Sequence, residues 1–242
     1  MASLLALLAA AAVAGTAIVA VYAPGMPLRG YVGLAALAGG AALAFTRPFL
    51  LVFVPYLAVL LEGRARDLIG PALYLGAFAL AFVVTISGAP AAVATPIHRS
   101  ERLVDGAGGL IFLVAGAVAS MGARRARTLE WRPAGRWAFS TVLGATAGLL
   151  MYHELDPVYD SVFFATANAV PASHASPTVA LFAVGLGAVY LIAGGATRRL
   201  VAPLRGGDTV LRAGRALSGL ATALLGLAIL TGRFYVVRTL LF

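Results

Sequence analysis

The feature that most constrains this chain is a series of long apolar segments joined by short connections that carry arginine. A helix needs about 20 apolar residues to cross a bilayer, and several segments reach that length. Inside lipid a spanning segment must be a helix or part of a closed barrel, because its backbone groups have no water to bond. The alternating pattern of a barrel strand is absent, charged residues make up 11% of the chain, and the mean hydropathy is +0.95. The sequence therefore predicts an all-α polytopic membrane protein, with the lipid bilayer as its main partner.

Seven transmembrane spans are predicted, and two of them are discontinuous. The spans at 31–61 and 137–170 are too long for one straight crossing, and each contains a proline beside charged residues. A proline inside a helix costs about 3 kcal/mol, so these spans are expected to break at Pro48 and Pro157. Within the later one, GATAG (144–148) has the spacing of small residues that permits close helix contact. The predicted spans are 4–23, 31–61, 71–86, 106–122, 137–170, 178–196 and 213–231.

The arginines predict how the chain is oriented. Twelve of them lie in alternate connections, around 64–66, 123–136 and 198–215, and five lie in the connections of the opposite group. Because cytoplasmic loops are enriched in basic residues, we expect a multi-pass protein of the cytoplasmic membrane with its N-terminus inside and its C-terminus outside. The net charge of +9 then reflects topology signals, and nucleic acid is not an expected partner. The chain also has no Gln and a single Asn, which is typical of a GC-rich genome and hints at a thermophilic source.

The six spans after the first divide into two sets of three with matching landmarks. The second helices are predicted to open at Pro71 and Pro177, and the third helices to start near Gly106 and Ala213. Because three is an odd number, the two copies must insert with opposite topology, which is the inverted-repeat architecture of many transport proteins. The first span lacks the basic start of a signal peptide, so it is interpreted as an additional helix. The predicted domains are an extra N-terminal transmembrane helix at 1–30, a first three-helix repeat at 31–122, a basic cytoplasmic loop at 123–136 and a second three-helix repeat at 137–242.

Three stretches resemble the cytochrome c biogenesis transmembrane family, the CcdA/DsbD-type carriers that pass thiol electrons across membranes. They are RPFLLVFVPYLAVLLEGRARDLIGPALYLGAFALAF (47–82), VLGATAGLLMYHELDPVYDSVFFATA (142–167) and RALSGLATALLGLAILTG (215–232). The resemblance implies two three-helix repeats with a redox cysteine beside each helix break. Here Phe49 and Glu154 stand at the positions of those cysteines, and the chain has no cysteine at all. We therefore expect a divergent, redox-inactive member of the family that is not a thiol–disulfide oxidoreductase.

Charged residues gather at the two predicted breaks. The resemblance places Arg47, beside Pro48, opposite Glu154 and Asp156 of the second repeat. A charge in the middle of a membrane costs about 2.5–3.5 kcal/mol on insertion scales and usually pairs inside the protein, so an ion pair is predicted. Such a pair could form a charged gate or binding site, or it could be a salt bridge that joins two broken helices. The sequence leaves both interpretations open.

Metal binding is a further possibility at the second break. Carboxylate and imidazole groups together suit several divalent ions, and the candidate ligands are His153, Glu154, Asp160 and His174. Their spacing does not match the His-Glu-x-x-His pattern of zinc enzymes. The prediction is therefore no cofactor, with a metal ion at these four residues, or haem at the two histidines, as the less favoured alternatives.

Two functions remain after the thiol carrier is excluded. The first is a non-catalytic membrane subunit of a larger assembly, of a respiratory or cytochrome-related kind, with other membrane subunits as partners. The second is a transporter of a small solute or an ion that uses the charged site at the two breaks. The short polar connections and the additional first helix favour the subunit, whereas the inverted repeat and the charged breaks favour the transporter.

Overall fold

The architecture is helical in every part of the chain that can be described. A computed structural model of the chain describes residues 36–37, 40–41, 44, 50–62, 69–86, 101–124, 133–151, 175–201, 207–234 and 236. Within these residues there are six helices and no strand, so the all-α prediction is confirmed for them. The helices are α1 (Leu50–Glu62), α2 (Ile69–Ile86), α3 (Glu101–Arg124), α4 (Pro133–Leu150), α5 (Ala175–Val201) and α6 (Gly207–Leu230).

Three segments of these helices are long and apolar enough to cross a membrane. They are Arg102–Gly122 with 21 residues, Ala180–Thr197 with 18 and Thr209–Leu230 with 22. Between 33% and 39% of their most apolar windows is buried inside the protein, so more than half of each window is at least partly exposed. Leu103 and Leu217, for example, are 75% and 67% exposed. An apolar outer surface of this extent is typical of contact with lipid, which indicates a membrane-embedded protein.

The helix bounds confirm part of the predicted pattern and correct the rest. Helices α2 and α5 each begin two residues before the proline predicted to open them, where the missing N–H group of proline is tolerated. Helices α3 and α6 begin at Glu101 and Gly207, earlier than the predicted starts near Gly106 and Ala213. The prediction was wrong there because hydropathy marks the apolar part of a helix, while the backbone hydrogen bonds continue into its polar end. Residues 197–201 and 207–212, which were predicted to belong to a connection between spans, are thus helical.

Four glycines form the contact between α3 and α6, which is the most extensive helix contact in the described residues. A Cβ atom on Gly109 would lie 2.9 Å from the carbonyl oxygen of Gly226, and one on Gly219 would lie 2.8 Å from that of Gly116. An early residue of α3 therefore meets a late residue of α6 and the reverse, so the helices are antiparallel. Because these glycines carry hydrogen in place of a Cβ atom, the two backbones lie in direct contact.

A second close contact joins α2 to α4. Gly144 packs on the carbonyl group of Tyr74, and Gly148 packs on that of Phe78, so a Cβ atom at either glycine would overlap the backbone of α2. Residue numbers rise together along the two helices, which are therefore parallel. The close contact predicted from GATAG (144–148) is confirmed.

The segment before α1 packs on α5 in a similar way. Gly40 lies against the carbonyl group of Phe182, and Gly185 lies against that of Leu37. Helix α1 lies in the buried core, where it contacts α2, α3, α4, α5 and α6. Helix α1 is thus at the centre of the described bundle, with helices of both halves of the chain around it.

Candidate functional site

All of the predicted site residues lie outside the residues that the structure describes. The predicted ion pair, helix breaks and metal site therefore stay predictions. Both flanks of the first break are described, as Ala44 on one side and α1 on the other, and the second break is approached as far as Met151. Within the described residues, no group of three His, Cys, Asp or Glu side chains could hold a metal ion. The predicted residues concerned are Arg47, Pro48, Phe49, His153, Glu154, Asp156, Pro157, Asp160 and His174.

The described residues beside the first break contain a cluster of three buried tyrosines. Tyr56 comes from α1, Tyr74 from α2 and Tyr190 from α5, and each is at most 1% exposed. The rings of Tyr56 and Tyr190 are stacked, with centroids 5.5 Å apart and 25° between their planes. The ring of Tyr74 lies 5.8 Å from that of Tyr56. We call these three residues the tyrosine cluster.

Each hydroxyl of the tyrosine cluster donates a hydrogen bond to a backbone carbonyl group. Tyr190 donates to the carbonyl oxygen of Ala44 at 2.6 Å, and Tyr56 donates to that of Tyr190 itself at 2.7 Å. Tyr74 donates to the carbonyl oxygen of Val52 at 2.9 Å. A buried hydroxyl normally requires such a partner, and two of the three partners here, the carbonyls of Ala44 and Val52, lie on opposite sides of residues 45–49.

Gly194 makes the bond between Tyr56 and α5 possible. A Cβ atom at this position would lie 2.7 Å from the Tyr56 hydroxyl and 2.8 Å from a methyl carbon of Leu60. The carbonyl of Tyr190 lies one helical turn before Gly194. Because this glycine has no side chain, the Tyr56 hydroxyl can pass it and reach that carbonyl. The neighbouring Gly195 has nothing within 4 Å of its Cβ position.

Other polar side chains in the described interior are bonded within their own helices. The hydroxyl of Thr222, which is fully buried, donates to the carbonyl of Ser218 at 2.8 Å. Thr146 donates to the carbonyl of Val142 at 2.8 Å. This is the usual way in which a Ser or Thr hydroxyl is satisfied in an apolar helix. A groove of about 250 Å³ between α3 and α4 is lined by Thr146 and otherwise by apolar residues and a glycine.

These observations define the class of protein to which the chain belongs. It is a membrane-embedded helical protein with a closely packed interior, whose buried hydroxyl groups bond to backbone carbonyl groups. A comparison with protein families, with curated proteins and with solved structures finds no match to this chain. The resemblance to the cytochrome c biogenesis transmembrane family therefore stays a prediction.

The sequence analysis did not identify the tyrosine cluster. Tyrosines inside apolar spans carry a weak signal, because hydropathy does not distinguish a core residue from a lipid-facing one. A usable signal was the combination of Pro48 in one span with a tyrosine, Tyr190, in the second helix of the other set. Prolines leave carbonyl groups without a donor, and buried tyrosines need an acceptor.

Proposed function

We propose that this chain is a redox-inactive, multi-pass protein of the cytoplasmic membrane that acts as a non-catalytic subunit of a larger membrane assembly. Its proposed architecture is an additional N-terminal helix followed by two inverted three-helix repeats. The N-terminus is inside and the C-terminus is outside. Its proposed partners are the lipid bilayer and other membrane subunits, in an assembly of the respiratory or cytochrome-related kind that the family resemblance suggests.

The antiparallel contact of α3 and α6 supports the inverted repeats. Gly109 lies 110 positions before Gly219, and Gly116 lies 110 positions before Gly226. Exchange of the two halves of the chain therefore converts the contact of Gly109 with Gly226 into that of Gly116 with Gly219. A two-fold axis in the membrane plane has this effect on the equivalent helices of an inverted repeat.

The packing of the first helix of each proposed repeat gives further support. Gly144 lies on the carbonyl of Tyr74, and Gly40 lies on the carbonyl of Phe182. Tyr74 and Phe182 occupy the same place in the similar segments 72–82 and 180–190, being 108 positions apart. The first helix of each repeat therefore packs on the second helix of the other, through a glycine in both cases.

The observation that carries the subunit proposal is the state of the carbonyl groups beside the first break. In transporters with inverted repeats, unwound backbone carbonyls at broken helices coordinate the coupling ion. Here the carbonyl groups of Ala44 and Val52 already accept hydrogen bonds from the tyrosine cluster, at 2.6 and 2.9 Å. An occupied carbonyl in a close-packed core favours a fixed structural role over ion coordination.

Transport of a small solute or an ion is the alternative function. It is favoured by the position of the tyrosine cluster, whose hydrogen bonds to Ala44 and Val52 lie on either side of the segment that contains Arg47. A buried charge at a helix break is a common feature of a substrate or ion pathway. In this alternative, Arg47, Glu154 and Asp156 would form the binding site.

Purification of the full chain from its own host distinguishes the two functions. The tagged protein is extracted in a mild detergent, and its mass is measured by native mass spectrometry. A subunit is expected at a mass well above the 24.7 kDa of the chain, with the same membrane proteins at a fixed ratio, and deletion of the chain should reduce the abundance of those proteins. The proposal is contradicted if the chain is solitary and, in vesicles, gives a saturable ion uptake that Glu154→Gln abolishes.

A further inference from the structure

We propose that Tyr190 and Tyr74 are positioning residues that hold the backbone of the 31–61 span on the two sides of Pro48. Tyr190 replaces the hydrogen bond that this proline removes from the carbonyl of Ala44, and Tyr74 binds the carbonyl of Val52 in α1. These two hydrogen bonds hold the backbone at Ala44 and at Val52, the described residues on either side of 45–49, which include Arg47 and Phe49. The inference rests on the proposed architecture only in treating Pro48 as the break of that span. It holds whether the protein is a subunit or a transporter.

The N-terminal anchor is the bond from Tyr190 to Ala44. In a continuous helix the carbonyl of Ala44 would accept from the N–H group of residue 48, four positions later. Residue 48 is a proline and has no N–H group, so this buried carbonyl needs another donor. The Tyr190 hydroxyl provides it at 2.6 Å. The N–H group of Ala44 donates to the carbonyl of Ala41 at 3.4 Å, a bond to the third residue back that marks a tightened turn.

The C-terminal anchor is the bond from Tyr74 to Val52. Pro55 lies inside α1, where it removes the hydrogen bond to the carbonyl of Leu51, four positions earlier. The carbonyl of Val52, the residue after Leu51, accepts a hydrogen bond from the Tyr74 hydroxyl at 2.9 Å. This bond attaches the turn of α1 before Pro55 to α2.

The two anchors are joined through Tyr56. Its hydroxyl donates to the carbonyl of Tyr190 at 2.7 Å, and its ring contacts those of Tyr190 and Tyr74. The ring of Phe53 also packs on Tyr190, with centroids 5.4 Å apart. The second helix of each proposed repeat thus supplies one tyrosine, and α1 lies between them. A shift of residues 45–49 would have to disrupt both hydrogen bonds and stacked rings.

Hydrogen exchange of the full chain in lipid nanodiscs, resolved by peptide, tests this inference. Tyr190→Phe removes the hydroxyl and keeps the ring, so the amides of 45–49 should exchange about five-fold faster, the ratio expected for the loss of one hydrogen bond. Tyr74→Phe should instead accelerate exchange at 50–56. Thr222→Val, which removes a buried hydroxyl from α6, is the matched control and should change neither segment.

The pattern of exchange separates positioning from general packing. An unchanged exchange rate of the amides of 45–49 in Tyr190→Phe would overturn the inference. So would an exchange rate that increases in α3 and α6 as much as in 45–49. If that variant does not fold, Tyr56→Phe removes the link between the anchors and should accelerate exchange on both sides of the break. The failure of these tests would leave the mass measurement on the wild-type assembly unaffected, so the two proposals are tested independently.

Discussion

A substitution at the crossing of α3 and α6 gives the sharpest test of the packing. In Gly116→Ala the new Cβ atom would overlap the backbone nitrogen of Ala223 and the carbonyl oxygen of Gly219. Both of these are backbone atoms, so no side chain can rotate away and the helices must separate. Gly106 lies in the same helix with nothing within 4 Å of its Cβ position, and Gly106→Ala is the matched control.

The expected magnitude follows from two opposing terms. Overpacking of a close contact costs about 1–3 kcal/mol, and the upper end applies because backbone atoms are displaced. Replacement of Gly by Ala inside a helix stabilises the folded protein by about 0.5–1 kcal/mol. Gly116→Ala should therefore destabilise the protein by about 2 kcal/mol, which corresponds to a decrease in Tm of about 4–8 °C for a chain of this size. Gly106→Ala gains only the helix term and should leave Tm unchanged or raise it.

The assay is the fraction of protein that remains in the monodisperse size-exclusion peak after heating. Gly226→Ala provides an internal replicate, because its Cβ atom would meet the backbone of Leu113 and Gly109 in the same way. Its Tm should decrease about as much as that of Gly116→Ala. If the two crossing variants were as stable as Gly106→Ala, the close approach of these backbones would be wrong.

Three further predictions concern the core and the charged residues. Gly194→Ala should lower Tm by several degrees because its Cβ atom meets the Tyr56 hydroxyl, whereas Gly195→Ala should not; equal effects would contradict the described contact. Arg47→Ala should destabilise by about 3–5 kcal/mol, the cost of leaving one buried charge unpaired, and a further change of Glu154 to Leu should restore most of the loss; additive losses in denaturant unfolding would rule out the pair. The purified chain should transfer no electrons from a reduced thioredoxin-type donor, because without cysteine it cannot form a thiolate; measurable transfer would disprove the redox-inactive assignment.

The sequence predicts the helical class and several landmarks, for reasons that are local. The apolar runs require helices in lipid, and Pro71 and Pro177 lie in the first turns of α2 and α5 because proline is tolerated there. The small residues of GATAG (144–148) permit close approach wherever a second helix is present. These features depend on few neighbours, so a pattern along the chain is sufficient to find them.

The remaining features depend on partners that are distant in the sequence. Gly109 and Gly116 have the same seven-residue spacing as Gly219 and Gly226, but their pairing becomes apparent only when the helices are seen to be antiparallel. The bond from Tyr190 to Ala44 joins residues 146 positions apart. Pro55 lies within α1, although proline propensity alone would end the helix there. The hydrogen bond from Tyr74 to the carbonyl of Val52 is likewise a tertiary contact, which local propensity cannot reveal.

The inverted repeat is the central claim, and the sidedness of two equivalent positions tests it most directly. Ala94 and Ala202 lie 108 positions apart, each after the second helix of its proposed repeat. The chain has no cysteine, so Ala94→Cys and Ala202→Cys each introduce a single reactive thiol. In intact cells an impermeant maleimide should label position 94 at once, and position 202 only after the membrane is permeabilised. Labelling of both positions from the same side would contradict the inverted repeat.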